Sequence, residues 1–144
     1  MFSAFVSLLI VVLVVEGDAC RCSSISQQFA YDTADFVVRS KVVNKKLSPG
    51  GTSIVYELEN KRTFKPKDEI LKNQVFTSPM ESGCGVTNLK VGREYLLAGT
   101  ISGFKQRITR CLAIPHADAD TTEVLEWKYV DEKLIEELKS EVFA

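Results

Sequence analysis

The chain has 144 residues, 18 of them basic and 19 acidic, with a formal charge of −1 and 45% hydrophobic residues. That length suits one domain, and the near balance of charge argues against a broad polyanionic partner such as nucleic acid. One histidine and four cysteines leave little material for histidine-based catalysis or a His/Glu metal centre.

The first nineteen residues carry no lysine or arginine, and Phe5 to Val15 is apolar apart from Ser7. Gly17 and Ala19 place small residues at the minus-three and minus-one positions before Cys20. This is the layout of a secretory signal peptide over 1–19, too short for the roughly 20 residues that span a bilayer. The expected mature chain is therefore 20–144, secreted and extracellular, with no membrane-spanning segment. Loss of Glu16 and Asp18 with the leader turns the formal charge from −1 to +1. Lys61, Arg62, Lys65 and Lys67 crowd one stretch, read here as a solvated loop because Asp68 and Glu69 follow at once.

Cys20, Cys22, Cys84 and Cys111 all fall in the mature chain, and an even count in a secreted domain reads as disulfides. Pairing Cys20 with Cys22 would close a cramped ring. The two remaining pairings both tie the amino terminus to the middle and end of the domain. In either, each bridge closes a loop of more than sixty residues, worth about 4 kcal/mol in the chain-entropy model.

Ser26 is a candidate cap for a short helix through Gln27, Gln28, Phe29 and Tyr31. Asp35 to Val43 is rich in β-branched residues and reads as a strand, and Pro49-Gly50-Gly51 as a turn. Ile54, Tyr56 and Leu58 alternate with Glu57 and Glu59, the pattern of a half-buried strand. Val75-Phe76-Thr77 is a brief strand, Glu94 to Thr100 a longer one entered through Gly92, and Phe104 to Leu112 a further one carrying Cys111. Trp127, Val130, Leu134, Ile135, Leu138 and Val142 recur at spacings of three and four among charged residues, an amphipathic helix whose start is not fixed by the pattern. Short strands followed by a terminal helix point to a small barrel with a packed helix.

Chemistry is poorly supplied for an enzyme. His116 follows Pro115 in an apparent connection, where a lone histidine is usually a surface residue. A redox role for Cys20-Arg21-Cys22 would leave the other cysteines without partners. The position of Cys20 is more informative. Cleavage before it leaves a first residue whose sulfur is held in a bridge, with a second bridge two residues on, and whose α-amine and carbonyl oxygen remain free. An α-amine with a pKa near 8, roughly, sheds its proton readily when zinc binds, and the two groups together form a chelate ring.

The sequence resembles the netrin-like amino-terminal domain of the tissue inhibitors of metalloproteinases. Cys20-Arg21-Cys22 is similar to that family's Cys-x-Cys start. Asp35-Phe36-Val37-Val38-Arg39-Ser40-Lys41 resembles its first long strand, Glu81-Ser82-Gly83-Cys84-Gly85 its reactive connecting loop, and Tyr95-Leu96-Leu97-Ala98-Gly99 the strand after it. Cys111 with Ile114-Pro115 resembles the end of its inhibitory domain. The resemblance covers nearly all of 20–144 and is similar to the compact single-domain form secreted by nematodes.

The resemblance implies a mainly β fold, a five-stranded oligonucleotide/oligosaccharide-binding-type barrel with a carboxy-terminal amphipathic helix, and bridges Cys20–Cys84 and Cys22–Cys111. It implies a secreted metalloproteinase inhibitor rather than an enzyme. Cys20, Arg21, Cys22 and Ser23 would enter a protease cleft beside Glu81, Ser82 and Gly83. The Cys20 amine and carbonyl would cap the catalytic zinc, and Arg21 would point into the primed-side pocket. The chain would need no cofactor of its own, the zinc belonging to the protease, and would act as a monomer. In departure from the family pattern, Asp32 stands where a third-bridge cysteine is usual, Arg21 replaces a small or apolar residue, no proline follows Cys22, and the family's cysteine-rich second domain is missing. The alternative is a non-inhibitory netrin-like binding module, acting on host cells or receptors as an immune modulator.

Overall fold

The computed structural model describes residues 20–116 and 123–143. The expected signal peptide and its cleavage site lie outside the described residues. Eight elements follow in order: α1 (Gln27–Thr33), β1 (Phe36–Leu47), β2 (Ile54–Lys65), β3 (Gln74–Thr77), β4 (Glu94–Ser102), β5 (Lys105–Arg107), β6 (Leu125–Glu126) and α2 (Glu132–Ser140). No helix among the described residues is long and apolar enough to cross a membrane.

Five strands close on themselves in the order β1-β2-β3-β5-β4, with β4 returning to β1, while β6 adds to the free part of β4. All pairings are antiparallel except β3–β5, where Phe76 lies beside Arg107 and the Ile108 amide donates to the Phe76 carbonyl at 3.0 Å. Three register irregularities along β1 and β2 bend these long strands, which lets so few strands close. Gly99 sits where β4 and β5 approach most tightly. A Cβ there would collide with the Arg107 carbonyl oxygen and the Phe36 ring. The expected barrel with a packed terminal helix is what the structure shows.

Side chains divide by strand parity into two cores. Phe36, Val38, Val42, Ile54, Tyr56, Leu58, Val75, Leu97 and Ile108 fill the barrel. Val37, Phe64, Leu96 and Ala98 face outward beneath Ala30 and Tyr31 of α1 and Leu134 and Leu138 of α2. Both faces of β1 and β4 are thus covered, which explains their nearly unbroken apolar runs. The Ser26 hydroxyl caps α1 by accepting from the Phe29 amide at 3.1 Å, and Asp131 caps α2 by accepting from Leu134 at 2.7 Å.

Several expectations need correction. Phe104 to Leu112 is not one strand: pairing stops at Arg107, and Cys111 lies on a short 3-10 turn, Arg110–Leu112. The bridge it makes draws the chain away from the ladder. Lys61, Arg62 and Lys65 belong to β2 rather than to a loop, and only Lys67 follows the strand. The Arg62 guanidinium lies over the Phe64 ring and Lys65 Nζ over the Tyr31 ring, while Lys61 pairs with Glu59. The start of the terminal helix, which the pattern left open, falls at Glu132: Leu125 and Glu126 are extended and pair with β4, and Trp127–Tyr129 form a 3-10 turn. Val142 is exposed rather than on the apolar stripe, since Glu141 turns left-handed (φ 64°) and Phe143 makes the contact instead, its ring 5.4 Å from that of Tyr31.

Candidate functional site

The Cys20–Cys84 and Cys22–Cys111 bridges form, with Cα separations of 5.0 and 5.1 Å, and no cysteine among the four is free. The pairing left open by loop entropy is therefore the one implied by the resemblance. The two bridges touch: Cys20 Sγ lies 3.8 Å from Cys111 Sγ and 3.9 Å from Cys22 Sγ, and Cys111 Sγ lies 3.6 Å from Cys84 Sγ. Four sulfurs within 4.8 Å of one another resemble a metal site in position only. Bonded in pairs, they carry no thiolate to offer.

Besides this double anchorage, the segment 20–25 is held by Ile25, which packs against the outer core. Among the described residues, no backbone hydrogen bond joins residues 20–25 to the strands. The four cysteines are half-buried, whereas Arg21 and Ser23 are exposed. Cys20 and Cys22 are crosslinked to two different parts of the chain, Cys84 at the end of one 3-10 turn and Cys111 within another.

The partner loop is built more conventionally. Glu81–Gly83 form one 3-10 turn, with the Gly83 and Gly85 amides both donating to the Met80 carbonyl at 3.1 Å. Cys84 adopts a left-handed conformation (φ 59°), its amide bonded to the Glu81 carbonyl, which aims its sulfur back at Cys20. Gly85 is required by close approach, since a Cβ would strike the Ser78 carbonyl oxygen. Glu81, Ser82 and Gly83 are all exposed, directly across the first bridge from Cys20. The Cys20–Cys84 bridge thus joins the segment that carries Arg21, Cys22 and Ser23 to the loop Glu81–Gly83.

Sequence reasoning missed the groups that hold this loop. Arg110 Nη2 donates to the Glu81 carbonyl and the Arg110 amide to the Cys84 carbonyl, both at 3.0 Å. Its Nε is buried without a hydrogen-bond partner among the described residues. Thr87 Oγ1 donates to the Glu81 carboxylate at 3.4 Å, Lys45 Nζ to the Thr87 carbonyl at 2.5 Å, and Tyr56 OH to the Val86 carbonyl at 2.6 Å. Burial pushes the Tyr56 phenol up to about 12. Arg110 stands beside Cys111, and that adjacency is the only sequence signal that could have singled it out. Met80, 62% exposed, adds an apolar side chain to the loop edge. His116 is half-buried and lies 3.6 Å from Asp131.

A cleft of about 300 Å³, lined by residues including Lys90, Arg93, Tyr95 and Glu126, contains none of Cys20, Arg21, Cys22 or Ser23. Arg21 and Ser23, which flank Cys22, are exposed, as are Glu81, Ser82 and Gly83.

Comparison with known proteins agrees with this geometry. Residues 18–122 match the family model described as Tissue inhibitor of metalloproteinase, a span that contains all four cysteines. Metalloproteinase inhibitor 2 of Bos taurus is 37% identical over 119 residues, covering 75% of this chain and 53% of that protein. The protein of the same name from Homo sapiens is 34% identical over 128 residues, covering 81% of this chain and 57% of its own length. That from Gallus gallus is 36% identical over 106 residues, covering 66% and 47%. The chain spans about half the length of these curated relatives. On the matched span, these identities and the bridges, the chain belongs to the tissue inhibitor of metalloproteinase family.

Proposed function

We propose that this protein is a secreted inhibitor of metalloproteinases that acts, after cleavage before Cys20, by capping the protease's catalytic zinc with the Cys20 amine and carbonyl oxygen. One observation carries the reading: in a chain of this family, Cys20 to Ser23 is crosslinked at two points and lies beside the exposed loop Glu81–Gly83. Two nitrogen and oxygen donors on one rigid residue occupy the position where a zinc protease activates water, so the attacking water is displaced. Because the bridges order the segment beforehand, binding loses little conformational freedom. The zinc belongs to the protease and the chain contributes no cofactor, acting as a monomer on secreted or cell-surface metalloproteinases. The two disulfides fit an oxidising, extracellular setting.

The test is an inhibition panel of zinc endopeptidases, run on protein whose mass establishes Cys20 as the first residue. Stoichiometric inhibition of at least one member supports the reading. Protein that starts at Cys20, is fully bridged and inhibits none would overturn it in favour of the non-inhibitory binding module.

A further inference from the structure

The geometry points to a thiol-triggered switch in the crosslinks: the two bridges form one exchange unit, and rearrangement to Cys20–Cys111 with Cys22–Cys84 turns zinc capping off. The exchange stands on the sulfur positions alone, and its effect on inhibition rests on the function proposed above.

Three observations lead to it. A sulfur released from one bridge has a sulfur of the other within reach: Cys20 Sγ lies 3.8 Å and Cys84 Sγ 3.6 Å from Cys111 Sγ, and all four sulfurs lie within 4.8 Å of one another. The four cysteines are half-buried rather than enclosed, which leaves them open to a small thiolate. Among the described residues, no backbone hydrogen bond ties 20–25 to the strands, so Cys20 and Cys22 trade partners without opening the barrel. The exchange has three steps. A low-molecular-weight thiolate attacks Cys84 Sγ and forms a mixed disulfide; the Cys20–Cys84 bond breaks and its electron pair leaves on Cys20 Sγ. The Cys20 thiolate attacks Cys111 Sγ, forming Cys20–Cys111 and expelling Cys22 as thiolate. Cys22 then attacks Cys84 Sγ, forming Cys22–Cys84 and returning the small thiolate. Nothing is oxidised or reduced overall. Attack of Cys20 on Cys22 instead, 3.9 Å away, would close the cramped ring. Loop entropy does not resist the crossed pairing, whose longer link has a sequence separation of 91 against 89. Afterwards Cys20 is tied to the Arg110–Leu112 turn. Cys22, whose nitrogen is a peptide nitrogen, takes its place at the Glu81–Gly83 loop. The fold keeps two bridges, and the capping amine has left its loop.

The experiment incubates protein that starts at Cys20 with a catalytic amount of reduced glutathione, blocks thiols by alkylation and maps the bridges without reduction. Trypsin cuts after Arg21, Arg39, Lys72, Lys90 and Arg110, which puts each cysteine on its own peptide. We expect linked peptides Cys20–Cys111 and Cys22–Cys84 to appear together and in equal amount, in about a tenth of the protein or more. The intact mass should be unchanged, no thiol should be alkylated in that fraction, and neither crossed peptide should form without glutathione. The purified crossed isomer should inhibit a zinc endopeptidase at least about a hundredfold more weakly than the native isomer from the same mixture. Native pairs accompanied only by glutathione adducts or alkylated thiols would overturn the exchange. A crossed isomer that inhibits as well as the native one would overturn the switch. If untreated protein inhibits no zinc endopeptidase, the inhibitory reading fails and the switch with it, whereas the peptides still decide the exchange.

Discussion

The wedge at Cys20–Ser23 and the helical layer on the barrel's outer wall are both ordered, for opposite physical reasons. The α1 and α2 helices are held by burial: Tyr31, Leu134 and Leu138 close over Val37, Leu96 and Phe64. The chain end is added by the Phe143–Tyr31 ring contact and the bond from Tyr31 OH to Glu141 at 3.1 Å. The wedge buries little and is held by two covalent bonds and, through its partner loop, by Arg110. Order achieved by burial consumes the surface that creates it. Order achieved by crosslinking leaves backbone and side chains free for another molecule. Only the second kind of region can be both rigid and available, which is what an inhibitor needs.

The largest effect should come from cutting a crosslink. Replacing Cys22 and Cys111 together by serine opens a link of sequence separation 89 and should cost about 4 kcal/mol in denaturant unfolding. Inhibition should be lost even under conditions where the barrel remains folded, because Cys20–Ser23 is then held at one point. Leu138→Ala, in the fully buried helical layer, should cost about 3 kcal/mol by leaving a cavity, with inhibition intact wherever the protein stays folded. Parallel loss of inhibition and stability in both variants would erase the proposed difference between the two regions.

The helical layer and barrel were largely legible in the sequence because parity and period carry them. Ile54, Tyr56 and Leu58 mark the inner face of β2, and Leu134 and Leu138 the inner stripe of α2. Legibility failed where tertiary geometry overrode local pattern. Phe104 to Leu112 looks like a strand, yet the Cys22–Cys111 bridge and the 3-10 turn take its second half out of the sheet. The charges Lys61, Arg62 and Lys65 looked like a loop because nothing local reveals that a barrel strand can carry cationic groups over aromatic rings. At the site, the cysteines and the Glu81–Gly83 loop were legible through their resemblance to a family, whereas Arg110 was not. Its role depends on a loop twenty-nine residues away in sequence.

Smaller effects sharpen the contrast further. Arg110→Ala removes the bond to the Glu81 carbonyl and should lower stability by about 1 kcal/mol. It should weaken inhibition by about tenfold, more than that stability loss accounts for at temperatures where the protein is folded, with Arg110→Lys recovering part of it. A fall in stability with unchanged inhibition would make Arg110 merely structural. Tyr56→Phe removes the bond to the Val86 carbonyl and should cost about 1 kcal/mol at neutral pH. Burial raises the Tyr56 phenol to about 12, so its contribution is complete below the unfolded value near 10 and fades as pH rises from there through about 12. The stability gap between native protein and Tyr56→Phe should therefore narrow over that window; a gap constant with pH would show that the phenol is not held neutral by the fold.

The most direct test of zinc capping is one added residue. A single alanine placed before Cys20 leaves both bridges, the barrel and the loop unchanged but converts the α-amine into a peptide nitrogen, which is a poor zinc ligand. Inhibition constants of the extended and native forms, measured against the same metalloproteinase with equal unfolding midpoints confirmed, decide the matter. The account predicts loss of inhibition by at least a hundredfold on extension, since the proposed bond from the amine to the protease's zinc could no longer form. Equal inhibition by the two forms would contradict it.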